Sequence, residues 1–127
     1  MKSSKQLSIF VVDDEQVIAT TLTLILQNSG YLAMAFFNPL DALAAARLDA
    51  PDLVISDVVM PQLTGVELAI QMKTLCPFCK VILFSGQAQT GDLLRTARGL
   101  GHEFHLLSKP VHPIELLRNI REYEAAR

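Results

Sequence analysis

An excess of positive charge is missing from this chain. Its 11 Lys and Arg stand against 13 Asp and Glu, a net charge of -2, which excludes bulk attraction to DNA, RNA or an acidic membrane surface as the basis of its function. Also missing is any run near the ~20 apolar residues that a membrane-spanning helix needs. The polar start, Met1 to Gln6, has no apolar signal-peptide core. A cytoplasmic location is expected. Cysteine is scarce: Cys76 and Cys79 are the only two. Their CxxC spacing suggests zinc or redox chemistry, but structural zinc takes four ligands, and His102, His105 and His112 lie far along the sequence. A reactive pair sits where a strand feeds a helix N-terminus, whereas this one follows a helix and precedes a strand. Repeats, low-complexity tracts and linkers are absent, and 127 residues suit a single domain, 1–127.

What is present is half hydrophobic, with a mean hydropathy of +0.32, which points to a sheet buried on both faces. Leu7 to Val12 is a β-rich apolar run that ends in Asp13-Asp14-Glu15. A helix follows on Val17, Ile18, Leu22, Ile25 and Leu26, with an Asp near its N-cap and Asn28-Ser29-Gly30 as its stop. Tyr31 to Phe37 is the second strand. Asn38-Pro39 starts a helix through Leu40, Leu43, Ala44 and Leu48. Leu53 to Ser56 is the third strand, with Asp57 at its end; Pro61 and Gly65 punctuate the loop before a helix on Val66, Ala69, Ile70 and Leu75. Lys80 to Phe84 leads to Ser85-Gly86, a helix is expected after Gln89, and Phe104 to Leu107 leads to Lys109-Pro110. His112-Pro113 opens the last helix, on Leu116, Leu117, Ile120 and Tyr123. Charge is wholly absent from Gln16 to Leu40, so the first helix, with Thr23 and Leu24 beyond its core stripe, has a plain outer face suited to docking or dimer contact.

Five βα units in strict alternation imply an α/β doubly wound parallel sheet of flavodoxin-like type, with five strands in the order 2-1-3-4-5, five helices and right-handed crossovers. All strand C-termini then lie on one edge, and ligands bind there where the winding reverses, between strands one and three. Asp13 and Asp14, Asp57, Ser85 and Lys109 all fall on that edge. Three carboxylates in one cleft repel one another. A small hard cation relieves this, and Mg²⁺ suits a site of few protein carboxylates. Lys109 adds a fixed positive charge and Ser85 a hydroxyl donor. Attack of a carboxylate on phosphorus gives an acyl phosphate, and such residues suffice to hold one on Asp57.

Asp13-Asp14, Asp57 followed by Met60-Pro61 and Gly65, Ser85-Gly86 and Lys109-Pro110 together resemble the signature of the response-regulator receiver domain of two-component signalling. The resemblance covers essentially the whole chain in order and spacing. It implies that Asp57 accepts a phosphoryl group from a histidine kinase or phosphotransfer protein. It also implies Mg²⁺ held by Asp14, Asp57 and the Val59 carbonyl, with Asp13 acting through water. Ser85 and Lys109 would contact the phosphoryl group and relay its presence to the fourth and fifth helices. A homodimer through the fourth helix, fifth strand and fifth helix is a further implication, as is a Mg²⁺-dependent protein that is not an enzyme and needs neither nucleic acid nor membrane. The sequence departs from the pattern at Leu106, where receivers usually place Tyr or Phe three residues before the lysine.

Two other classes compete. A degenerate receiver would act as an interaction module without phosphorylation, which Leu106 favours. A phosphohydrolase with an aspartyl-phosphate intermediate would place its nucleophile on the first strand in a DxD pattern, whereas Asp13 and Asp14 are adjacent. Since Arg121 to Arg127 leaves no length for an output module, output through altered partner affinity is expected. Val59, two residues after Asp57, has no group to orient an attacking water, while Gln87 could do so.

Overall fold

The computed structural model describes residues 6–86, Arg95, Arg98, Gly99, Gly101 and residues 104–126. Five strands, β1 (Ser8–Val12), β2 (Leu32–Phe36), β3 (Leu53–Asp57), β4 (Lys80–Ser85) and β5 (His105–Ser108), pair in parallel in the order β2-β1-β3-β4-β5. Helices α1 (Gln16–Asn28), α2 (Pro39–Leu48) and α3 (Gly65–Leu75) connect them, and a C-terminal helix, Pro113–Ala126, follows β5. The expected doubly wound sheet is present. Four helices, rather than five, lie among the described residues. The segment after Gln89 falls outside them, apart from helical Arg95, Arg98 and Gly99; Gln87 falls outside them as well, as does that part of the expected dimer face.

Strand residues point alternately to the two faces, and each face has its own core. Phe10, Val12, Val54, Val81 and Leu83 pack with α2 and α3. Ile9, Val11, Ile55, Ile82 and Phe84 pack with α1 and the C-terminal helix. Every residue of β3 is buried, because β3 lies in the middle of the sheet with helices on both sides.

The helices bury different stripes from those expected. In α1 the buried face is Ala19, Leu22, Thr23 and Leu26, a run of i, i+3, i+4 and i+7. Val17 is 78 % exposed and Thr23 lies inside the core. In α2 the small residues Ala42 and Ala46 flank Leu43, while Leu40 and Leu48 face outward; in α3, Leu68 and Met72 complete the stripe and Leu75 is exposed. Apolar residues on both sides of a helix left the phase ambiguous, and in α2 close helix-to-sheet packing chose the side with the smaller residues, Ala42 and Ala46.

The starts of α2 and α3 follow local chemistry. Asn38 Oδ1 accepts from the Leu40 amide at 2.9 Å, with Pro39 at the first helical position. Thr64 and Glu67 form a reciprocal capping box. Gly65 must be glycine for a separate reason. Its amide donates to the Val58 carbonyl at 2.7 Å, and a Cβ there would collide with the Asp57 carbonyl oxygen. The loop after β3 thus closes tightly behind the Asp57 carboxylate. Replacing Gly65 by Ala is expected to cost at least ~2 kcal/mol in urea unfolding. Gly86→Ala, whose Cβ would make an ordinary 3.5 Å contact with Lys109 Cβ, is expected to stay close to wild type in the same measurement.

Candidate functional site

The register of the sheet builds the site. Val12 pairs with Ser56, so Asp13 emerges from β1 level with Asp57 at the end of β3. Asp57 in turn pairs with Phe84, which places Ser85 one step beyond it. Ser85 pairs with Ser108, and the Lys109 amide donates to the Ser85 carbonyl at 3.2 Å. Lys109 therefore leaves β5 facing the same cleft.

Asp13, Asp14 and Asp57 each offer a carboxylate oxygen, and these three atoms lie within 4.8 Å of one another. Asp13 and Asp57 are buried, and Asp14 is exposed at the rim. Lys109 Nζ donates to Asp57 Oδ2 at 3.1 Å, a charge-assisted bond to the central carboxylate. The same ammonium lies 5.5 Å from the ring centroid of Phe84, so a fully buried aromatic seats it. A cleft of about 200 Å³ opens over these groups, lined by Asp14, Glu15, Asp57, Val59, Gly86 and Lys109.

Asp13 carries the strain of the arrangement. One of its oxygens accepts from the Glu15 amide at 2.9 Å, while the other, Oδ2, is buried with no hydrogen-bond partner among the described residues. Burial, then the neighbouring charges of Asp57 and Asp14, pushes its carboxyl up to about 6, against the opposing pull of the Glu15 amide and Lys109. Three converging carboxylates, one with an unsatisfied buried oxygen, fit a hard divalent cation with oxygen ligands.

Every expected site residue lies at this edge of the sheet. The Val59 side chain is exposed and lines the cleft. Sequence reasoning missed Glu15 as a lining residue, although it follows the two aspartates directly. It also missed Phe84 under the lysine, whose signal was its place immediately before Ser85. Leu106, three residues before Lys109, pairs with Leu83 on the α2/α3 face of the sheet and is half exposed. Phe104 shares that face and packs against the α2/α3 core, whereas His105 points to the other face. The cysteines stand apart. Both are free and buried, their sulfurs bond to the Met72 and Lys80 carbonyls, and burial pushes both thiols up. Protonated buried thiols are poor nucleophiles and poor metal ligands.

A doubly wound sheet with an acidic cluster and a lysine at its switch point defines a class of α/β domain that works at the strand C-termini. The chain belongs to the response regulator receiver domain family, which its sequence matches over residues 9–121. It is 33 % identical to the transcriptional regulatory protein CreB of Escherichia coli over 90 % of this chain and 49 % of that one. It is 28 % identical to sporulation initiation phosphotransferase F of Bacillus subtilis, over 91 % of both. A CheY-like receiver domain protein from Methanospirillum hungatei superposes with a TM-score of 0.83 at 26 % identity, covering 94 % of each chain. The chain spans about half the length of CreB.

The raised Asp13 pKa has a defined sign. In the folded state Asp13 keeps its proton to about pH 6, whereas unfolded it ionises near the ordinary aspartate value of 3.8, so the folded state loses stability as pH rises through that window. With metal chelated, wild type is expected to lose on the order of 2–3 kcal/mol relative to Asp13→Asn between pH 4 and pH 7. Urea unfolding across that range checks this; parallel pH profiles for the two proteins would contradict it.

Proposed function

We propose that Asp57 accepts a phosphoryl group from a phosphohistidine carried by a histidine kinase or phosphotransfer protein. The supporting observation is the 3.1 Å contact of Lys109 with Asp57 at the centre of three converging carboxylates. An Asp57 oxygen attacks phosphorus, the P–N bond to the donor imidazole breaks, and the imidazole leaves with the electron pair and takes up a proton from solvent. Lys109 holds the Asp57 carboxylate in place and is close enough to follow the charge onto the phosphoryl oxygens. Asp13, Asp14, Asp57 and the Val59 carbonyl would hold Mg²⁺, which supplies positive charge to offset the carboxylates and the incoming group. Gly86 lines the cleft beyond the end of β4, and Ser85, the residue before it, would contact the phosphoryl group from there.

The donor needs a surface beside this cleft. An apolar groove of about 610 Å³ runs between α1, at Val17, Ile18, Leu22 and Ile25, and the segment Pro110, Val111 and Pro113. Glu15 and Lys109 line both groove and cleft, so a partner helix seated there would bring its phosphohistidine to Asp57. The name of the Bacillus relative, a phosphotransferase, fits this reading. The protein turns over no free substrate; its output is a change in partner affinity. We place it in the cytoplasm, acting without nucleic acid or membrane, since a net charge of -2 gives no bulk attraction to either.

A second reading rests on Leu106, which stands half exposed in the usual aromatic position: a receiver that is read by partners without phosphorylation. A phosphohydrolase is disfavoured by the placement of the central carboxylate, which ends β3 and not β1. Intact-mass measurement after incubation with acetyl phosphate separates the first two. A Mg²⁺-dependent phosphoryl adduct is expected on wild type and absent from Asp57→Asn, whereas a folded wild type that binds Mg²⁺ and gains no adduct supports the phosphorylation-independent module. With Val59 unable to orient water, the adduct is expected to be long-lived. Val59→Asn should shorten its lifetime several-fold, by ~1 kcal/mol or more of barrier, and equal decay rates would remove this account of the lifetime.

A further inference from the structure

The sheet edge formed by β2 plays no part in the phosphoacceptor chemistry, and its surface is unusual. Half of the exposed large hydrophobic residues described, Val17, Leu24, Leu32, Met34, Phe37 and Leu40, fall within the charge-free stretch from Gln16 to Leu40. Leu32 and Met34 are 52 % and 53 % exposed on an outermost strand. Edge strands are ordinarily protected by lysine, proline or a bulge. β2, Leu-Ala-Met-Ala-Phe, has none of these.

The backbone of β2 shows which groups remain for a partner. The Leu32 amide donates to the Leu7 carbonyl and the Phe36 carbonyl accepts from the Asp13 amide, both at 3.0 Å. Residues 32, 34 and 36 therefore bond to β1, and Ala33 and Ala35 present their amides and carbonyls outward. Gln27 Nε2 caps the Ala33 carbonyl at 3.0 Å. Ala35 keeps both groups outward at the middle of the uncapped part of the strand.

We propose that two copies of this chain pair antiparallel along β2, about a two-fold axis at Ala35, to give one continuous sheet. The two Ala35 residues would exchange amide-to-carbonyl bonds across the axis, and Met34 of each copy would face Phe36 of the other on the α2 side, a sulfur-aromatic contact. A second copy suits this edge because a two-fold interface sets a patch against itself. A charged patch would then repel its own image; this one carries no charge. Pairing β2 with β5, the other sheet edge, would be head to tail and would propagate, whereas β2 with β2 closes.

Sedimentation equilibrium of the full chain, from micromolar to millimolar concentration, tests the proposal independently of phosphorylation. Wild type is expected to form a concentration-dependent dimer. Met34→Lys and Met34→Glu, with thermal melting used to confirm that each folds, are each expected to weaken it roughly tenfold or more, because the contact with Phe36 is lost and like charges fall on the diagonal across the axis, about 7–8 Å apart. An equimolar mixture of the two variants should restore association. A wild type that stays monomeric throughout, a dimer unchanged by either variant, or a dimer lost only through Leu106→Lys on β5 would each overturn the proposal.

Discussion

Everything at the working edge of this protein depends on holding carboxylates closer together than they would choose to lie. Asp13, Asp14 and Asp57 converge within 4.8 Å, and the fixed cation described among them is Lys109, bonded to the central carboxylate and seated on the Phe84 ring. Repulsion of this kind would open a flexible loop. Here Asp13 and Asp57 lie at the ends of adjacent strands whose interiors are buried on both faces, so the cost is met by the packing of the whole sheet. The raised pKa of Asp13, and its buried oxygen with no partner among the described residues, are the visible residue of that cost.

The parallel sheet is what makes such convergence possible. Each strand delivers its C-terminal residue to the same edge, and the reversal of winding between β1 and β3 leaves that edge open where the acids sit. Gly65 then lets the loop after β3 fold back against the Asp57 backbone, and the Thr64–Glu67 capping box starts α3 immediately behind it. The apolar groove beside α1 opens off the same cleft, and Glu15 and Lys109 line both. The far side of α1 and the β2 edge continue the same uncharged sequence, from Gln16 to Leu40.

Strand positions and the site were legible from sequence because their signals are local: an apolar run, then a polar residue where the run stops. Asp13, Asp57, Ser85 and Lys109 each follow such a run, and the topology implied by βα alternation was enough to bring them together. Helix phase was less legible. Leu40, Leu48 and Val17 carry a strong apolar signal yet lie outside, while Thr23, Ala42 and Ala46 lie inside, because the space between helix and sheet selects by size as well as by polarity.

The sequence by itself determined the fold class, the order of the strands and the identity of the residues at the switch point, since hydrophobic periodicity and turn chemistry are written residue by residue. Only the tertiary structure decided which acid is strained and which aromatic seats the lysine. Those properties belong to pairs of residues set by sheet register: Asp13 level with Asp57, and Phe84 opposite Asp57. Register depends on how whole elements pack, and no local pattern along the chain carries that information.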